Sequence, residues 1–151
     1  MVVTGGAKGI GKAVAERFAG DRVEAGGRDM LDVTDEDAVA AFFERMGPVD
    51  VLVNNAGVAE GAPLARTTLE SWRRHLEVNA TGAFLCTRAV LPGMVERGTG
   101  RIVTIASTAG LHGARYPAAY AAAKHAAIGL MRATSAAVAR ISPIAAGLAA
   151  A

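Results

Sequence analysis

Tyr120 and Lys124 are the two residues of this 151-residue chain whose types and spacing suggest proton transfer. They lie four residues apart in the segment YAAAK, so a helix there would place both side chains on one face. A phenol in water titrates at about pH 10, and a neighbouring ammonium group stabilises its phenolate form. The pair could therefore donate or accept a proton near neutral pH. The alternative interpretation is a tyrosine that packs on its helix beside a solvated lysine.

A glycine-rich segment near the N-terminus, TGGAKGIG, could hold a phosphate. Gly5, Gly9 and Gly11 lie between a predicted strand and a predicted helix, which is the context that a dinucleotide-binding turn needs. Glycine allows close approach of the backbone to a pyrophosphate, and the amides that begin the next helix attract its negative charge. The spacing differs from the commoner G-x-G-x-x-G, and the alternative is a plain glycine-rich turn.

Strand and helix patterns alternate along the chain and would position these residues. Short apolar runs predict buried strands, and a 3.6-residue period predicts amphipathic helices. We expect strands over 1–4, 49–53 and 101–106, and helices over 12–19, 35–46, 69–97 and 120–140. Thr34 and Thr68 are the expected N-caps of the second and third helices, and Pro92-Gly93 should interrupt the third. This alternation indicates a single α/β domain over residues 1–151 with a parallel sheet.

Composition argues against several classes of function. The net charge is only +2, and its 16 basic and 14 acidic residues are spread along the chain, which disfavours nucleic acid as a partner. We find no apolar run of about 18 residues and no signal-peptide layout, so we expect no membrane partner and a cytoplasmic location. Cys86 is the single cysteine, and the three histidines are scattered, so neither a disulfide nor a metal site is expected.

Five sequence elements together resemble the short-chain dehydrogenase/reductase family, in its classical, ketoacyl-reductase-like branch. TGGAKGIG is similar to the family's TGxxxGxG turn, and residues 54–57 match its NNAG element. Asn79 in LEVNATGAF, Ser107 in RIVTIASTAG, and Tyr120 with Lys124 in Y-x3-K occupy the positions of the family's active-site residues. Ser107 precedes Tyr120 by 13 residues, the usual family spacing. The elements occur in the family's order along almost the whole chain.

The resemblance implies both a fold and a function. The fold is a Rossmann-like doubly wound parallel sheet with helices on both faces, in truncated form. The function is that of an NAD(P)(H)-dependent oxidoreductase that interconverts a secondary alcohol and a ketone by hydride transfer. Tyr120 would be the general acid or base, Lys124 would also bond the nicotinamide ribose, and Ser107 would hold the substrate oxygen. Asn79 would hold a water that links Lys124 to solvent, and family members assemble as dimers or tetramers, so a homo-oligomer is expected.

The resemblance also implies which residues bind the cofactor. Arg28 in GGRD lies 17 residues beyond Gly11, where arginine favours NADP(H) through its 2′-phosphate and an acidic residue favours NAD(H). We therefore expect NADP(H) to be favoured over NAD(H). Asp32 and Val33 match a family element that packs on adenine, and Asn55 would contact the ribose region. The expected cofactor-binding residues are Gly5, Lys8, Gly9, Ile10, Gly11, Arg28, Asp32, Val33, Asn55, Ala56, Gly57, Tyr120 and Lys124.

Two departures from the family pattern leave an alternative function open. Only three residues separate Arg28 from Asp32, too few for a crossover between parallel strands, so one of the segments 22–27 and 30–33 should be a loop. Residues 141–151 match no family element and stay unassigned, and the strand over 101–106 should then expose an edge. The alternative is a catalytically impaired nucleotide-binding or oligomerising fragment of the same family.

Overall fold

Strands and helices alternate along the chain in the computed structural model, which describes residues 1–112, 116–137 and 144–146. The strands are β1 (Val2–Thr4), β2 (Glu24–Gly26), β3 (Val51–Asn54), β4 (Arg101–Ile105) and β5 (Ile144–Ala146). The helices are α1 (Gly9–Arg17), α2 (Glu36–Met46), α3 (Leu69–Leu76), α4 (Gly82–Arg97) and α5 (Ala118–Ala137). The strands form one parallel sheet in the order β2-β1-β3-β4-β5. The strand that follows β1 in sequence lies on one side of it, and the later strands lie on the other side. A crevice is expected where this order reverses, at the carboxyl ends of β1 and β3.

One face of the sheet carries the hydrophobic core. Val2, Leu52 and Ile102 project from β1, β3 and β4 and are at most 2% exposed. They pack with side chains of α2 and α4. Within α2, the rings of Phe42 and Phe43 meet edge to face with centroids 5.2 Å apart. Burial of each such side chain contributes about 1.5–3 kcal/mol, so this face supplies much of the folding free energy.

The opposite face of the sheet is covered by α1 and borders a second cavity. Alternate strand residues point to opposite faces, so Val51, Val53 and Val103 face this cavity whereas Leu52 and Ile102 face the core. Its volume is about 790 Å³, and none of the predicted catalytic residues lines it. Its apolar walls include Val14, Phe18, Val51, Val53, Val103 and Ile105.

The prediction of a doubly wound α/β sheet is confirmed, and so is the loss of one strand after Arg28. Residues 24–26 pair with β1, whereas residues 30–33 lie in turns and loop. The remaining predicted strands and helices are present with boundaries moved by a few residues. The predicted helix that ends at Arg140 is described as far as Ala137, and residues 138–140 lie outside the described residues.

The N-cap of α2 is Asp35, so the prediction of Thr34 as the cap is wrong. The Asp35 carboxylate accepts a hydrogen bond from the amide three residues later at 2.9 Å. The Thr34 hydroxyl instead donates to Asp32 at 2.7 Å, and this bond keeps it away from the helix end. Thr68 caps α3 as predicted, because its hydroxyl accepts from the Ser71 amide at 3.1 Å.

The predicted interruption at Pro92-Gly93 is also wrong. The helical segment after Thr68 is broken earlier, by a π-helical turn over Glu77–Thr81, and α4 continues through Pro92 to its end. Pro92 is exposed, so water can bond the carbonyl one turn earlier that lacks its usual amide partner. π-Helical turns inside helices occur frequently at functional sites.

β4 does not form an edge of the sheet, contrary to the prediction. Val103, Thr104 and Ile105 pair in parallel with residues 144–146, which the sequence left unassigned. The three-residue segment is too short for a strand pattern to be recognised, and its pairing depends on a neighbour about 40 residues away.

Replacing Asp35 tests the observed cap of α2. Asp35→Ala is expected to lower the free energy of unfolding by about 1 kcal/mol, because the Ala38 amide loses its acceptor. Asp37→Ala is the matched control: it removes the same charge from the same turn, where the described structure shows no hydrogen bond to that carboxylate. Urea unfolding would measure both variants. Equal losses would assign the effect to the helix dipole instead of the cap.

Candidate active site

The four predicted catalytic residues line one cavity of about 240 Å³ at the carboxyl ends of β3 and β4. Ser107 follows β4, Tyr120 and Lys124 lie in the first two turns of α5, and Asn79 lies in the π-helical turn. The structure thus brings together side chains that are distant in sequence. The other residues that line the cavity are Ile10, Asn55, Gly57, Val58, Ala59, Ile105 and Ala106.

Lys124 is a buried ammonium group beside the Tyr120 ring. Its Nζ donates a hydrogen bond to the Ile105 carbonyl at 2.7 Å and lies 5.7 Å from the centre of the ring. The residue is only 6% exposed, and this burial lowers the pKa of its amine from 10.5 to about 8. Lys124 therefore carries its charge at neutral pH but lies close to losing its proton.

Ser107 has a hydroxyl hydrogen that remains available to a ligand. Its Oγ accepts a hydrogen bond from the Ala109 amide at 3.2 Å, which fixes the oxygen at the start of a short 3₁₀ turn. No bond donated by this hydroxyl is present in the described part of the chain. The side chain is 8% exposed and faces the cavity, so it can donate to an oxygen atom placed there.

Asn79 has an unpaired buried oxygen in the same cavity. Its Nδ2 donates to the carbonyls of Val58 at 2.9 Å and His75 at 3.0 Å, whereas its Oδ1 has no partner among the described residues. A Cβ at Gly57 would lie 2.7 Å from this oxygen, so glycine is required there to leave it room. A buried carbonyl oxygen of this kind commonly binds an ordered water.

The glycine-rich turn is held against β3 by Asn55. Asn55 Nδ2 donates to the carbonyls of Thr4 at 2.9 Å and Gly5 at 3.0 Å. Gly5 has a φ of 63°, which favours glycine, and a Cβ at Gly11 would lie 2.3 Å from Asn55 Nδ2. Two of the predicted glycines are therefore required by the geometry of the turn.

The start of α1 has the properties that a pyrophosphate group needs. Gly9 has a φ of 56°, and a Cβ built on it would meet no atom within 4 Å, so the backbone borders open space. Lys8, the N-cap residue, makes no side-chain capping bond, which leaves the first amides of the helix available. Ile10 connects this end of α1 to the catalytic cavity. These residues fit the diphosphate part of a dinucleotide.

The remaining predicted cofactor residues lie outside the 240 Å³ cavity. Arg28 is exposed beyond β2 and is paired with Asp32. Val33 is only 6% exposed and lies in the core cluster, where a Cβ on Gly82 would come within 2.6 Å of it. The Ala56 amide donates to the Thr4 hydroxyl at 3.0 Å. Their contacts with a cofactor stay predictions.

His75, which the sequence analysis did not single out, also belongs to this region. It is fully buried at the end of α3, and its ring meets the Tyr120 ring edge to face with centroids 6.4 Å apart. Its Nε2 accepts from the Glu60 amide at 3.0 Å, so the neutral ring carries its proton on Nδ1 and donates to the Ser71 carbonyl at 2.7 Å. A signal existed in the sequence, because Ser71, His75 and Asn79 recur every four residues on one helical face.

Three further features of the described residues concern membrane spans, metal sites and the single cysteine. Within residues 1–112, 116–137 and 144–146, no helix is long and apolar enough to cross a membrane. The same residues contain no group of three or more histidine, cysteine or acidic side chains that could hold a metal. Cys86 is buried in the core, and burial raises the pKa of its thiol to about 12.

Comparison with known proteins adds the observation that decides the family. The family model described as short chain dehydrogenase matches residues 29–147. The chain belongs to the short-chain dehydrogenase family. This membership confirms the predicted family, and structural similarity confirms the predicted Rossmann-like fold. A solved structure from Beutenbergia cavernae, described as an NAD(P)-dependent gluconate 5-dehydrogenase with NADP at low occupancy, is 37% identical with a TM-score of 0.88. The match covers 97% of this chain and 70% of the other.

Two curated relatives of the chain have contrasting names. A protein from Streptomyces coelicolor that is named as a ketoacyl reductase is 47% identical, over 93% of this chain and 55% of its own length. A protein from Xanthobacter autotrophicus, named "Inactive 2-(S)-hydroxypropyl-CoM dehydrogenase 2", is 46% identical, over 80% of this chain and 54% of its own length. The chain spans about half the length of the curated relatives it matches.

Replacing His75 tests whether its buried hydrogen bonds stabilise the candidate site. His75→Leu is expected to lower the free energy of unfolding by about 1–3 kcal/mol, because the Glu60 amide and the Ser71 carbonyl lose their partner. His125→Leu is the matched control at an exposed position and should cost about 0.5 kcal/mol or less. Urea unfolding would compare the two variants, and equal losses would contradict a special role for His75.

The buried Lys124 should make stability depend on pH. Between pH 8 and 10.5 the unfolded chain keeps a proton that the folded Lys124 has lost, so the free energy of unfolding should rise with pH. The expected rise is at most about 3 kcal/mol, because burial lowers the pKa of Lys124 from 10.5 to about 8. It should be absent in Lys124→Met and present in Lys12→Met, which changes an exposed lysine. Unfolding in urea at several pH values would measure it, and identical pH profiles for the parent chain and Lys124→Met would contradict the interpretation.

Proposed function

We propose that this chain is an NAD(P)(H)-dependent oxidoreductase that interconverts a secondary alcohol and a ketone by hydride transfer. The observation that carries the proposal is the shared cavity of Asn79, Ser107, Tyr120 and Lys124, which reaches Ile10 at the start of α1. A phosphate-binding helix end and a proton-transfer pair thus border one space. Family membership supports the same class of reaction.

A bound NAD(P)(H) would supply or accept the hydride at the substrate carbon. The Ser107 hydroxyl donates a hydrogen bond to the substrate oxygen and holds it beside Tyr120. Tyr120 gives its proton to that oxygen in ketone reduction and takes a proton from it in alcohol oxidation. The Lys124 ammonium, 5.7 Å from the centre of the Tyr120 ring, stabilises the phenolate that remains after the proton has left.

Tyr120 must regain its proton after each reduction, and Lys124 with Asn79 offers a route. The unpaired Asn79 Oδ1 accepts a hydrogen bond from a water in the cavity. Lys124 has an amine whose burial lowers its pKa to about 8, so it can release and regain a proton near neutral pH. The water on Asn79 would then connect this amine to bulk solvent.

The lining of the cavity favours a small substrate without charge. Its volume is about 240 Å³, and among its described lining residues Lys124 is the only charged side chain. Val58 and Ala59 give one wall an apolar surface. Apart from Lys124, which already donates to the Ile105 carbonyl, ionised groups of a substrate would find no compensating charge there, and their desolvation would disfavour binding. For the cofactor, we place NADP(H) ahead of NAD(H), because Arg28 lies beyond β2 beside the glycine-rich turn.

The chain's two tyrosines provide a matched test of the mechanism. Tyr120→Phe is expected to lower ketone reduction at least about 100-fold, the usual size of an acid–base contribution. It should leave NADPH binding nearly unchanged, since the glycine-rich turn is intact. Tyr116→Phe, at an exposed residue outside the cavity, should retain activity. Turnover of a panel of neutral ketones and NADPH fluorescence titration would measure both, and full activity in Tyr120→Phe would remove this residue from the mechanism.

A second candidate function is nucleotide binding without turnover, in a monomer or homo-oligomer. One observation favours it: a relative that is 46% identical is named inactive. Saturable NADPH binding with no turnover of any ketone would favour this candidate over the oxidoreductase. A melting temperature that rises with protein concentration would show in addition that the folded form is an oligomer.

A further inference from the structure

Arg28 and Asp32 form an ion pair directly beside the glycine-rich turn. The Gly26 carbonyl, at the end of β2, accepts from the Gly6 amide at 2.7 Å. A Cβ on Gly27 would lie 3.3 Å from the Ala7 side chain. The turn after β2 is therefore packed against the segment that precedes α1, and the guanidinium of Arg28 projects from it into solvent with 81% of the side chain exposed.

The Asp32 carboxylate uses both of its oxygens within the chain. Its Oδ2 accepts from Arg28 Nε at 2.7 Å and lies 2.6 Å from Arg28 Nη2. Its Oδ1 accepts from the Thr34 amide at 3.0 Å and the Thr34 hydroxyl at 2.7 Å. The bonds from Thr34 and Arg28 lower the pKa of Asp32 despite some burial, so the group is a fixed negative charge at neutral pH.

We propose that Asp32 reduces the preference for NADP(H) that Arg28 gives this chain: its carboxylate, held on Arg28, weakens the attraction of Arg28 for a 2′-phosphate. The inference rests on the proposed function, since it concerns the adenosine end of the same nucleotide site. It gives Asp32 a different role from the adenine contact that the family resemblance implies. Arg28 and Asp32 are four positions apart, and the turn between them brings their charges together.

The direction of the effect follows from the charges. A phosphate monoester carries about −1.5 to −2 at neutral pH, whereas the ribose hydroxyl of NADH carries none. Arg28 alone would present a net positive charge to that position, but Arg28 with Asp32 presents none. The carboxylate also occupies the Nε edge of the guanidinium, which leaves its other edge for a two-bonded phosphate contact. Asp32 therefore penalises NADPH and leaves NADH nearly unaffected.

The exposure of the pair predicts a dependence on salt. Charges in solvent are screened over about 8 Å at physiological ionic strength and over about 3 Å at 1 M. An effect of Asp32 that acts through charge must shrink as salt is added. An effect that acts by reshaping the turn would be the same at both salt concentrations.

The test compares Asp32→Asn with the parent chain in fluorescence titrations with NADPH and NADH. Asparagine keeps an oxygen for the Thr34 amide but removes the charge. We expect the NADPH-to-NADH affinity ratio to rise about fivefold or more at low salt, and to fall back towards the parent value near 1 M NaCl. Glu36→Gln is the matched control, because it breaks a similar exposed pair with Arg88, 2.6 Å apart, and should not change the ratio.

Each outcome has a distinct meaning. A raised ratio that salt suppresses supports the inference, and Arg28→Gln should then weaken NADPH more than NADH. An unchanged ratio, a ratio that falls, or a rise that salt does not affect overturns the role of Asp32 but leaves the proposed function standing. If the parent chain binds neither nucleotide at millimolar concentration, the proposed function fails and the inference fails with it.

Discussion

The hydrogen bonds between Thr4 and Asn55 are the constraint on which the rest of the site depends. The buried Thr4 hydroxyl accepts from the amides of Asn55 at 3.1 Å and Ala56 at 3.0 Å, and Asn55 Nδ2 donates back to the Thr4 and Gly5 carbonyls. These bonds join the carboxyl ends of β1 and β3, where the strand order changes direction. Because β1 leads into the glycine-rich turn and β3 into the cavity wall, the same bonds align the proposed phosphate-binding end with the proposed catalytic end.

The loop after β3 is then fixed from its other side by the π-helical turn and by α3. Asn79 bonds the Val58 carbonyl, and His75 accepts from the Glu60 amide. The backbone that forms one wall of the cavity is thus attached at both ends to buried polar side chains. A wall held in this way can keep a ligand in a constant position relative to Ser107 and Tyr120, which acid–base chemistry requires.

Short-range spacing predicted the Tyr120–Lys124 pair and the glycine-rich turn, whereas the resemblance to the family indicated Asn79 and Ser107. The Tyr120–Lys124 spacing and the position of the glycine-rich turn follow from local geometry, and the family and fold are confirmed. The cap of α2 was misassigned because Thr34 bonds Asp32, a choice that no local propensity decides. The pairing of β5 and the partner of His75 depend on residues 15 or more positions away, and their patterns are too short to be recognised.

The polar groups that cost the fold most are concentrated where chemistry is proposed. Within the described residues, the buried side-chain atoms without a partner are Asn54 Oδ1 and Asn79 Oδ1, at the end of β3 and in the π-helical turn. Lys124 adds a buried ammonium with one protein acceptor, which costs a few kcal/mol of a folding free energy of about 5–15 kcal/mol. Apolar residues at these positions would suit a fold that needed only stability. Asn79 and Lys124 both line the cavity of the proposed chemistry, and their proposed contacts with a ligand would explain a placement that opposes what the rest of the core does for the fold.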